Sequence, residues 1–493
     1  MAFDDKFHEE CGVFGVYNIP DAAAHVVLGL HALQHRGQEA TGIVAYDGMK
    51  FHAHRALGAV DRTFGGQNNP IIESLKGTIA IGHNRYATSG DDGLRNVQPL
   101  FADLEEGGVA IAHNGNLTNA YRLRREMVVN GRIFQSTSDT EIILHLIAEA
   151  KGTIINRLTT ALQTVEGAYS LIALTRSKMI GVRDPFGVRP LVLGKLNDSY
   201  ILASESCALD ILGATTIRDV APGEMIVIDP DGMKSYYPFA INNPQQQASK
   251  GHFCIFEFVY FARPDTITNG QSVYQVRTRI GAELAKEHAV DADVIVPIPD
   301  SGVPSAIGYS EQSGIPFQYG IIRNHYVGRT FIEPTSEIRH LGVKLKHNPN
   351  RHVLEGKRVI LVDDSIVRGT TSRKIVEMVR NAGATQVHLR IASPPTKHSC
   401  FFGVDTPSPN ELLASNYDLE AMAALIGVES LGFISLDGLY RASGNPDGRS
   451  DQLDARGYCD ACFSGEYHIK LKDADDAANS KQQPRQLSLL KEG

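Results

Sequence analysis

The stretch from Arg358 to Thr371 constrains the fold of this chain more than any other, and it reads Arg-Val-Ile-Leu-Val-Asp-Asp-Ser-Ile-Val-Arg-Gly-Thr-Thr. Its apolar run, Val359 to Val362, predicts a short strand that is buried on both faces. Two adjacent carboxylates, Asp363 and Asp364, follow the run directly. Strands of this kind belong to parallel sheets, in which ligands collect at the carboxyl ends of the strands. The stretch therefore predicts a binding site at the edge of an α/β sheet.

A loop and a helix are expected after the two carboxylates. Gly369 permits close backbone approach, Thr370 or Thr371 is expected to cap the helix, and apolar residues recur at helical spacing until Gly383. The N–H groups of a helix N-terminus suit phosphate, and carboxylates can accept hydrogen bonds from ribose hydroxyls. Because the lysine of a Walker loop is absent, the pattern favours a sugar phosphate and disfavours an ordinary nucleoside triphosphatase.

This stretch resembles the phosphoribosylpyrophosphate signature of the phosphoribosyltransferases, whereas a shorter match would read as a surface turn. A companion segment, Val294 to Gly302, also runs from a buried strand into a loop with an acid, a hydroxyl and a glycine. It resembles the pyrophosphate-binding loop of that family. The resemblance implies that these residues bind phosphoribosylpyrophosphate: Asp300, Ser301, Gly302, Asp363, Asp364, Ser365, Val367, Arg368, Gly369, Thr370 and Thr371.

The same resemblance implies a magnesium ion that bridges the pyrophosphate and ribose oxygens. Hard oxygen ligands and retained waters suit Mg²⁺. Ser301, Asp363 and Asp364 are implied to lie in or near its coordination shell, and the carboxylate of Asp300 is an equally reasonable candidate for a ligand.

A polyanionic ligand needs locally concentrated positive charge, because the chain as a whole carries a formal net charge of −8. That net charge also argues against bulk binding of nucleic acid. The segment from Arg323 to Phe331 is basic and is followed by Arg339, Lys344 and Lys346. It can be read as a solvated surface, but it resembles the loop that closes over phosphoribosylpyrophosphate in the amidotransferases. The resemblance implies contacts from Arg329 and Lys344, although His325 stands where an arginine is expected.

The first half of the chain, from Cys11 to about Pro238, reads as short strands with a few helices. This pattern predicts an α+β domain with much antiparallel sheet. Val13 to Tyr17 is predicted as a strand, Asp21 to Leu33 as a helix, and Gly108 to Ala112 as a strand before a glycine turn. From Cys254 onward strands alternate with helices, which predicts a parallel sheet.

Cys11 alone would be read as a small buried thiol, but four motifs follow it in order. They are His35-Arg36-Gly37-Gln38-Glu39, Gly82-His83-Asn84-Arg85-Tyr86-Ala87-Thr88, His113-Asn114-Gly115-Asn116 and Ser138-Asp139-Thr140-Glu141. Together they resemble the glutamine amidotransferases that use an N-terminal cysteine as nucleophile. The match spans the whole first half of the chain.

Amide hydrolysis needs a nucleophile, a base and donors for the developing oxyanion. The resemblance implies that Cys11 is the nucleophile and that Asn114 and Gly115, on a turn after a strand, are the oxyanion donors. Arg85 is implied to pair with the α-carboxylate of glutamine and Asp139 with its α-ammonium. The alternative for Arg85 and Asp139 is a structural ion pair with other groups.

Cys11 is separated from the initiator methionine by nine residues. Our hypothesis is that residues 1–10 form a propeptide that is removed at the bond between Glu10 and Cys11. The freed α-amino group, with a reference pKa of about 7.7 to 8, would then serve as the general base.

Besides Cys11 the chain has five cysteines. Four lie in the second half, namely Cys254, Cys400, Cys459 and Cys462, whereas Cys207 is expected to be a small buried residue. Six cysteines in 493 residues are too few for a disulfide scaffold. The Cys459-Asp-Ala-Cys462 spacing leaves structural zinc and an iron–sulfur cluster open. The four positions resemble those of the amidotransferase branch that holds a structural 4Fe–4S cluster and carries a propeptide.

Both halves together, over roughly Cys11 to Tyr467, resemble the glutamine phosphoribosylpyrophosphate amidotransferases. The resemblance implies an N-terminal-nucleophile domain with a four-layer αββα sandwich at residues 11–240 and an α/β type I phosphoribosyltransferase domain at residues 252–470. Residues 241–251 have linker composition, and residues 471–493 are expected to be a disordered tail. The implied activity makes 5-phosphoribosylamine from phosphoribosylpyrophosphate, glutamine and water, which is the first step of purine synthesis.

Two other functions would fit parts of the sequence: a nucleobase phosphoribosyltransferase with an appended domain, and a regulatory protein that senses phosphoribosylpyrophosphate. The family also implies feedback inhibition by purine nucleotides and a homo-oligomer, usually a tetramer. The N-terminus has no secretory signal and no apolar run reaches membrane-spanning length. A cytoplasmic protein without membrane partners is therefore expected.

Overall fold

The structure is a computed structural model that describes residues 11–66, 69–86, 93–239, 251–324, 347–471 and 473. Several sequence predictions lie outside these residues. They concern the propeptide, nearly all of the linker, the basic segment with Arg329 and Lys344, and most of the tail. In the described part, every helix is too short or too polar to cross a bilayer.

The chain divides into two compact units. The N-terminal unit contains the described residues up to Phe253, the short segment Phe401–Val404, and the described residues from Tyr467 onward. The C-terminal unit contains Cys254–Cys400 and Asp405–Glu466. Two separate segments from late in the sequence therefore belong to the unit built by the first half.

Two antiparallel sheets form the centre of the N-terminal unit. One has the strand order β11-β9-β10-β1-β4-β2-β3 and the other β13-β12-β8-β7-β6-β5. The strands are β1 Gly12–Tyr17, β2 Ala40–Tyr46, β3 Phe51–Leu57, β4 Ile79–Arg85, β5 Leu100–Leu104, β6 Gly107–Leu117, β7 Gly167–Leu174, β8 Met179–Arg183, β9 Val192–Leu196, β10 Ser199–Ala203, β11 Thr215–Asp219, β12 Met225–Asp229 and β13 Gly232–Tyr236. The helices are α1 Ala22–Ala32, α2 Val60–Phe64, α3 Pro70–Ser74, α4 Ala120–Val129, α5 Thr140–Glu149, α6 Ile154–Thr164 and α7 Cys207–Asp210.

Side-chain alternation along the strands produces three apolar layers. On β1, Val13 and Tyr17 face the core between the two sheets, whereas Phe14 and Val16 face the core beneath α1. A third core lies between the second sheet and α5 and α6. The layers are thus helix, sheet, sheet and helix, which confirms the predicted four-layer αββα sandwich.

A parallel sheet with the order β17-β20-β21-β22 forms the centre of the C-terminal unit, as predicted. The strands from this part of the chain are β14 Phe253–Cys254, β15 Ile267–Thr268, β16 Gln271–Ser272, β17 Val294–Pro297, β18 Ile321–Arg323, β19 His347–Pro349, β20 Arg358–Asp363, β21 Gln386–Ile391, β22 Ser430–Phe433 and β23 Tyr458–Cys459. The helices are α8 Val273–Glu287, α9 Val303–Ser313, α10 Arg351–Leu354, α11 Thr370–Asn381, α12 Leu413–Asn416, α13 Leu419–Ile426, α14 Leu436–Ala442 and α15 Ala461–Ser464.

Two glycines let α8 and α9 approach each other closely. A Cβ atom added at Gly308 would overlap the carbonyl oxygen of Thr278, and one added at Gly281 would overlap the carbonyl oxygen of Ser305. Each helix thus presents a bare backbone to the other. Because α9 starts at Val303, directly after the predicted pyrophosphate-binding loop, this crossing fixes where that loop ends.

Replacing Gly308→Ala should lower the free energy of unfolding of the C-terminal unit by about 1–3 kcal/mol, since overpacking outweighs the better helix propensity of alanine. Calorimetric unfolding measures the change. The control is Gln312→Ala on the exposed side of α9, which should stay within about 0.5 kcal/mol of the parent. A Gly308→Ala protein more stable than the parent would contradict the close crossing.

Candidate functional site

Cys11 lies in a buried position immediately before β1. Its side chain is 9% exposed, and its Sγ atom donates to the carbonyl oxygen of Tyr86 at 3.7 Å. Burial raises the pKa of the Cys11 thiol to about 11, the charge of Arg85 opposes that rise, and the charge of Asp139 adds to it. The thiol is therefore protonated at neutral pH, and it needs a base before it can act as a nucleophile.

Arg85 and Asp139 both act on this thiol, so the structure brings three of the predicted site residues together. Arg85 ends β4, which pairs with β1 with Gly12 opposite Asn84. Asp139 is the residue before α5 and is 8% exposed. A cation and an anion beside one thiol match the two charged ends of an amino-acid substrate.

Asp139 remains ionised although it is buried. Burial opposes ionisation, but His113 and the N–H of Leu117 lower the pKa of Asp139 below its ordinary value. The Leu117 N–H donates to Oδ2 at 3.0 Å, and Nδ1 of His113 lies 3.6 Å from Oδ1. Asp139 can thus receive an ammonium group without first losing a proton.

The segment before Asp139 is held by a glutamate and an arginine. Glu141 accepts hydrogen bonds from the backbone N–H groups of Gln135 and Ser136, both at 2.7 Å. Arg124 donates to the carbonyl oxygens of Ser136 and Ser138, both at 2.8 Å. These bonds fix the direction from which Asp139 reaches the site.

The prediction that Asn114 and Gly115 lie on a turn is wrong, because both lie within the long strand β6. Strand β6 continues beyond them to Leu117 and pairs Asn114 with Ser170 and Gly115 with Tyr169 on β7. Gly115 has φ 139°, and a Cβ atom there would overlap the carbonyl oxygen of Ala168. Only glycine fits so close to β7, so the glycine marks a distortion inside a strand and does not end it.

The side chain of Asn114 is fully buried, and in the described part of the chain neither its Oδ1 nor its Nδ2 atom has a hydrogen-bond partner. Leaving such a group unsatisfied costs about 1–3 kcal/mol. A buried amide of this kind is expected where a ligand supplies the missing partner. This is the observation in the N-terminal unit that points most directly to chemistry on a substrate.

In the C-terminal unit, the parallel register of β17 and β20 sets Pro297 opposite Val362 and brings the two predicted loops together. The hydroxyl of Ser301 donates to Oδ2 of Asp364, and that of Ser365 donates to Oδ1 of the same carboxylate at 2.6 Å. The Asp364 N–H donates to Oδ1 of Asp363 at 2.9 Å. Ser301, Asp363 and Asp364 therefore form one cluster of hard oxygen atoms.

Two predicted loop glycines are required by the backbone. A Cβ atom on Gly302 would overlap the carbonyl oxygen of Val362. Gly369 has φ 78° and is itself the residue before α11. The prediction that Thr370 or Thr371 is the residue that caps this helix is wrong: the residue before α11 is Gly369, and α11 begins at Thr370. The left-handed conformation of Gly369 starts the helix, and glycine has no side chain with which to cap it.

Other predicted ligand-binding residues have protein partners in this structure. Asp300 forms an ion pair with Arg323, and Arg368 pairs with Glu411 at 3.1 Å. Val367 is buried, and its carbonyl oxygen accepts from the N–H of Leu413 at 2.8 Å. Arg329 and Lys344 lie outside the described residues.

The four cysteines of the second half all belong to the C-terminal unit. Burial raises the pKa of Cys462 well above its ordinary value, and Cys254, Cys400 and Cys459 raise it further. Burial likewise raises the pKa of Cys459, with additions from Cys254 and Cys400. The four thiols are thus neighbours, although within the described residues no three His, Cys, Asp or Glu side chains are arranged to hold a metal ion.

Backbone hydrogen bonds bring the segments that carry these cysteines together. The carbonyl oxygen of Cys459 accepts from the Ile255 N–H at 3.2 Å, and that of Cys462 accepts from the N–H groups of Lys397 and His398, both at 3.1 Å. Cys207, by contrast, is buried in the N-terminal unit, as predicted.

The sequence reasoning missed several residues that shape the N-terminal site. Tyr86 and His113 stand inside the quoted motifs, but nothing in the motifs shows that the first accepts from Cys11 and the second faces Asp139. Gly403 approaches Gly115 from a position 288 residues further along the chain, where no local pattern marks it.

Comparison with protein families and known proteins identifies a known domain in each half of the chain. A family model described as a glutamine amidotransferase domain matches residues 83–210, and one described as a phosphoribosyl transferase domain matches residues 265–398. The amidophosphoribosyltransferase of Rhizobium etli is 54% identical over 491 residues, which cover 99% of this chain and 96% of that protein. The amidophosphoribosyltransferase of Bacillus subtilis is 46% identical over 466 residues, with 94% and 95% covered.

Solved structures give the same result. A structure described as glutamine phosphoribosylpyrophosphate amidotransferase from B. subtilis complexed with ADP and GMP has a TM-score of 0.86 and 45% identity, and the match covers 94% of this chain and 98% of that one. A second structure, described as the allosteric regulatory enzyme of purine biosynthesis, has a TM-score of 0.87 and 45% identity and covers 94% and 97%.

Proposed function

The chain belongs to the amidophosphoribosyltransferase family, and on that basis we propose how its residues perform the family's reaction. It is a glycosyltransferase of the first step of purine biosynthesis, which converts phosphoribosylpyrophosphate, glutamine and water to 5-phosphoribosylamine, pyrophosphate and glutamate. A nucleobase phosphoribosyltransferase or a regulatory protein is not favoured, because the relatives that match nearly the whole chain are amidophosphoribosyltransferases.

The first half-reaction is hydrolysis of the glutamine side-chain amide at Cys11. The thiol adds to the amide carbon, its proton passes to the general base, and the carbonyl oxygen becomes an oxyanion. The intermediate then collapses: the leaving amide nitrogen takes the proton back from the general base and departs as neutral ammonia, which leaves a γ-glutamyl thioester on Cys11. Water hydrolyses this thioester to glutamate and restores the thiol. Arg85 pairs with the α-carboxylate and Asp139 with the α-ammonium throughout.

The unpartnered amide of Asn114 carries this proposal. Its Nδ2 donates to the oxyanion together with the backbone N–H of Gly115, and a buried amide that costs nothing to reorganise is an effective oxyanion donor. In the resting enzyme the same amide has no partner in the described part of the chain. A substrate oxygen can therefore take this bond without displacing a protein partner.

Removal of residues 1–10 would supply the base for this step. The Cys11 thiol has a pKa of about 11 in its buried position, so almost no thiolate is present at neutral pH. A freed α-amino group, with a reference pKa of about 7.7 to 8, lies on the same residue and would accept the proton. The pKa of Cys11 supports the propeptide proposal in this way.

The second half-reaction joins ammonia to C1 of the ribose as pyrophosphate leaves. We propose that the loop at Ser301 and the N-terminus of α11 hold the phosphates, and that Asp363 and Asp364 hold the ribose hydroxyls. The clustered oxygens of Ser301, Asp363 and Asp364 fit Mg²⁺, which would neutralise the charge of the leaving pyrophosphate. Ammonia must reach C1 unprotonated, so its path is proposed to exclude water.

A structural 4Fe–4S cluster is proposed at Cys254, Cys400, Cys459 and Cys462. Cys254 and Cys400 raise the pKa of both Cys459 and Cys462, so deprotonating the four thiols together would require cations that offset their charge. Iron supplies that charge and prefers thiolate ligands. Zinc remains the other metal that a four-cysteine set can hold.

Feedback inhibition by purine nucleotides is proposed from the B. subtilis structure that is described as complexed with ADP and GMP. A homo-oligomer, and specifically a tetramer, is proposed from the family resemblance alone. Analytical ultracentrifugation would test the second point.

Replacing Cys11→Ser should abolish glutamine-dependent synthesis and spare synthesis from free ammonia, because only the first half-reaction needs the thiol. The measurement is pyrophosphate release with glutamine or with ammonium chloride. Cys207→Ser is the matched control and should keep both activities. A folded Cys11→Ser protein that has lost both activities would contradict the two-site scheme.

Replacing Asn114→Ala should lower kcat for glutamine hydrolysis by about 10²–10³-fold, the usual effect of losing one oxyanion donor. The KM for glutamine should change little, since an oxyanion donor binds the charged oxygen of the transition state more strongly than the carbonyl oxygen of the substrate. Asn156→Ala, on the exposed surface of α6, is the control. An unchanged kcat in a protein with normal ammonia-dependent synthesis would remove Asn114 from the oxyanion site.

Replacing Cys462→Ser should remove the cluster's absorption in the visible range and lower the iron and acid-labile sulfide of anaerobically purified protein. Cys207→Ser should retain both, because Cys207 belongs to the other unit. If the purified parent protein contains zinc and no acid-labile sulfide, the cluster proposal is wrong and the site holds zinc.

A further inference from the structure

We propose that the segment Phe401–Val404, here called the anchor loop, positions the oxyanion donors from outside the glutamine amidotransferase sequence. The inference rests on the proposed role of Asn114 and Gly115 and adds two positioning residues, Asn116 and Gly403. The anchor loop follows Cys400 directly in the sequence but belongs to the N-terminal unit.

The anchor loop contacts β6 in two ways, of which one is a hydrogen bond. Nδ2 of Asn116 donates to the carbonyl oxygen of Phe401 at 2.9 Å, across 285 residues of sequence. Asn116 follows Gly115 on β6, so the bond acts one residue from the proposed oxyanion donor. The side-chain amide thus ties the strand to the loop.

The other contact of the anchor loop with β6 is between the backbones of two glycines, Gly403 and Gly115. A Cβ atom on Gly403 would lie 2.9 Å from Cα of Gly115, 3.0 Å from its carbonyl carbon and 3.4 Å from the nitrogen of Asn116. Carbon atoms normally approach to about 3.5–4.0 Å. The backbone of the anchor loop therefore packs directly against one side of Gly115. The carbonyl oxygen of Ala168 on β7 lies where a Cβ atom of Gly115 would be.

Aromatic packing holds the anchor loop in place. Phe402 is 1% exposed, and its ring centroid lies 5.1 Å from that of His468 and 6.0 Å from that of Tyr467. The ring of Phe401 also meets Tyr467, at 5.4 Å. His468 in turn packs on Phe186, at 5.2 Å. The loop is fixed on both of its aromatic residues and can hold Gly115 in a set position.

The residues before and after the anchor loop are joined to each other by two hydrogen bonds. The Cys400 N–H donates to Oγ1 of Thr406 at 2.8 Å, and the Ser399 hydroxyl donates to the carbonyl oxygen of Pro407 at 3.2 Å. The two ends of the loop are thereby joined within the C-terminal unit.

The proposed function makes the position of Gly115 critical. An N–H donor must lie about 2.7–3.1 Å from the site of the oxyanion, and an error of about 1 Å in a reacting group can cost 10²-fold in rate. A contact that fixes the position of Gly115 is thus expected to be a determinant of kcat. It should leave the binding of the two charged ends of glutamine unaffected.

Gly403→Ala tests the proposal, because the added methyl group must push β6 or the anchor loop aside. The expected result is a fall of about 10–10²-fold in kcat for glutamine hydrolysis, with KM for glutamine within about threefold and ammonia-dependent synthesis unchanged. Gly232→Ala is the matched control, since Gly232 has φ 112° against 109° for Gly403 but has no atom near its Cβ position. It carries the same backbone strain without the contact and should keep kcat.

Asn116→Asp provides a second test, because it replaces the donor to Phe401 by a carboxylate of the same shape. It should lower kcat for glutamine hydrolysis in the same way and leave ammonia-dependent synthesis intact. The proposal is overturned if both variants keep kcat within twofold of the parent, or if the loss falls equally on the ammonia-dependent activity. If instead Asn114→Ala is without effect, the oxyanion assignment itself is wrong; if Asn114→Ala is impaired while Gly403→Ala and Asn116→Asp are normal, only the anchor loop is excluded.

Discussion

The chemistry of the N-terminal unit depends on how closely β6 and β7 approach at Gly115. No side chain fits there, because a Cβ atom would overlap the carbonyl oxygen of Ala168. The approach keeps β6 paired beyond Gly115 as far as Leu117, whose N–H then holds the carboxylate of Asp139. One strand thereby orients the proposed oxyanion donors and the anion that is proposed to receive the substrate's ammonium. A residue with a side chain at position 115 would disturb both at once.

The C-terminal unit solves a related problem with parallel strands. Because β17 and β20 run in the same direction and in register, their loops leave the sheet at the same edge, and Ser301 meets Asp364. Gly302 allows its loop to pass directly over the carbonyl oxygen of Val362. In both units, therefore, a glycine removes the side chain that would separate two backbones, and polar groups gather beside it. The two sites share this physical device although their folds differ.

Much of the fold could be predicted from the sequence, since it is encoded in local periodicity. The run Val359–Val362 and the helix after it were recognisable, and the structure has them as β20 and α11. The site residues Cys11, Arg85 and Asp139 were found through motifs and lie together. The errors have physical causes: Asn-Gly normally ends a strand, but at Asn114 and Gly115 pairing with β7 overrides that tendency. Thr370 could cap a helix, but the left-handed Gly369 starts it instead. Contacts such as that of Gly403 with Gly115 depend on the tertiary fold alone and leave no local signal.

The anchor loop also limits how the chain can vary in length. Phe401 accepts from Asn116 and Gly403 touches Gly115, and both contacts fall within three consecutive residues. One inserted residue lengthens an extended chain by about 3.3–3.6 Å, and these contacts tolerate only a fraction of that. Insertions and deletions between positions 400 and 404 should therefore be excluded in functional relatives, even though the segment has no regular secondary structure. Loops usually accept such changes, whereas here the spacing is as restricted as it is inside a strand.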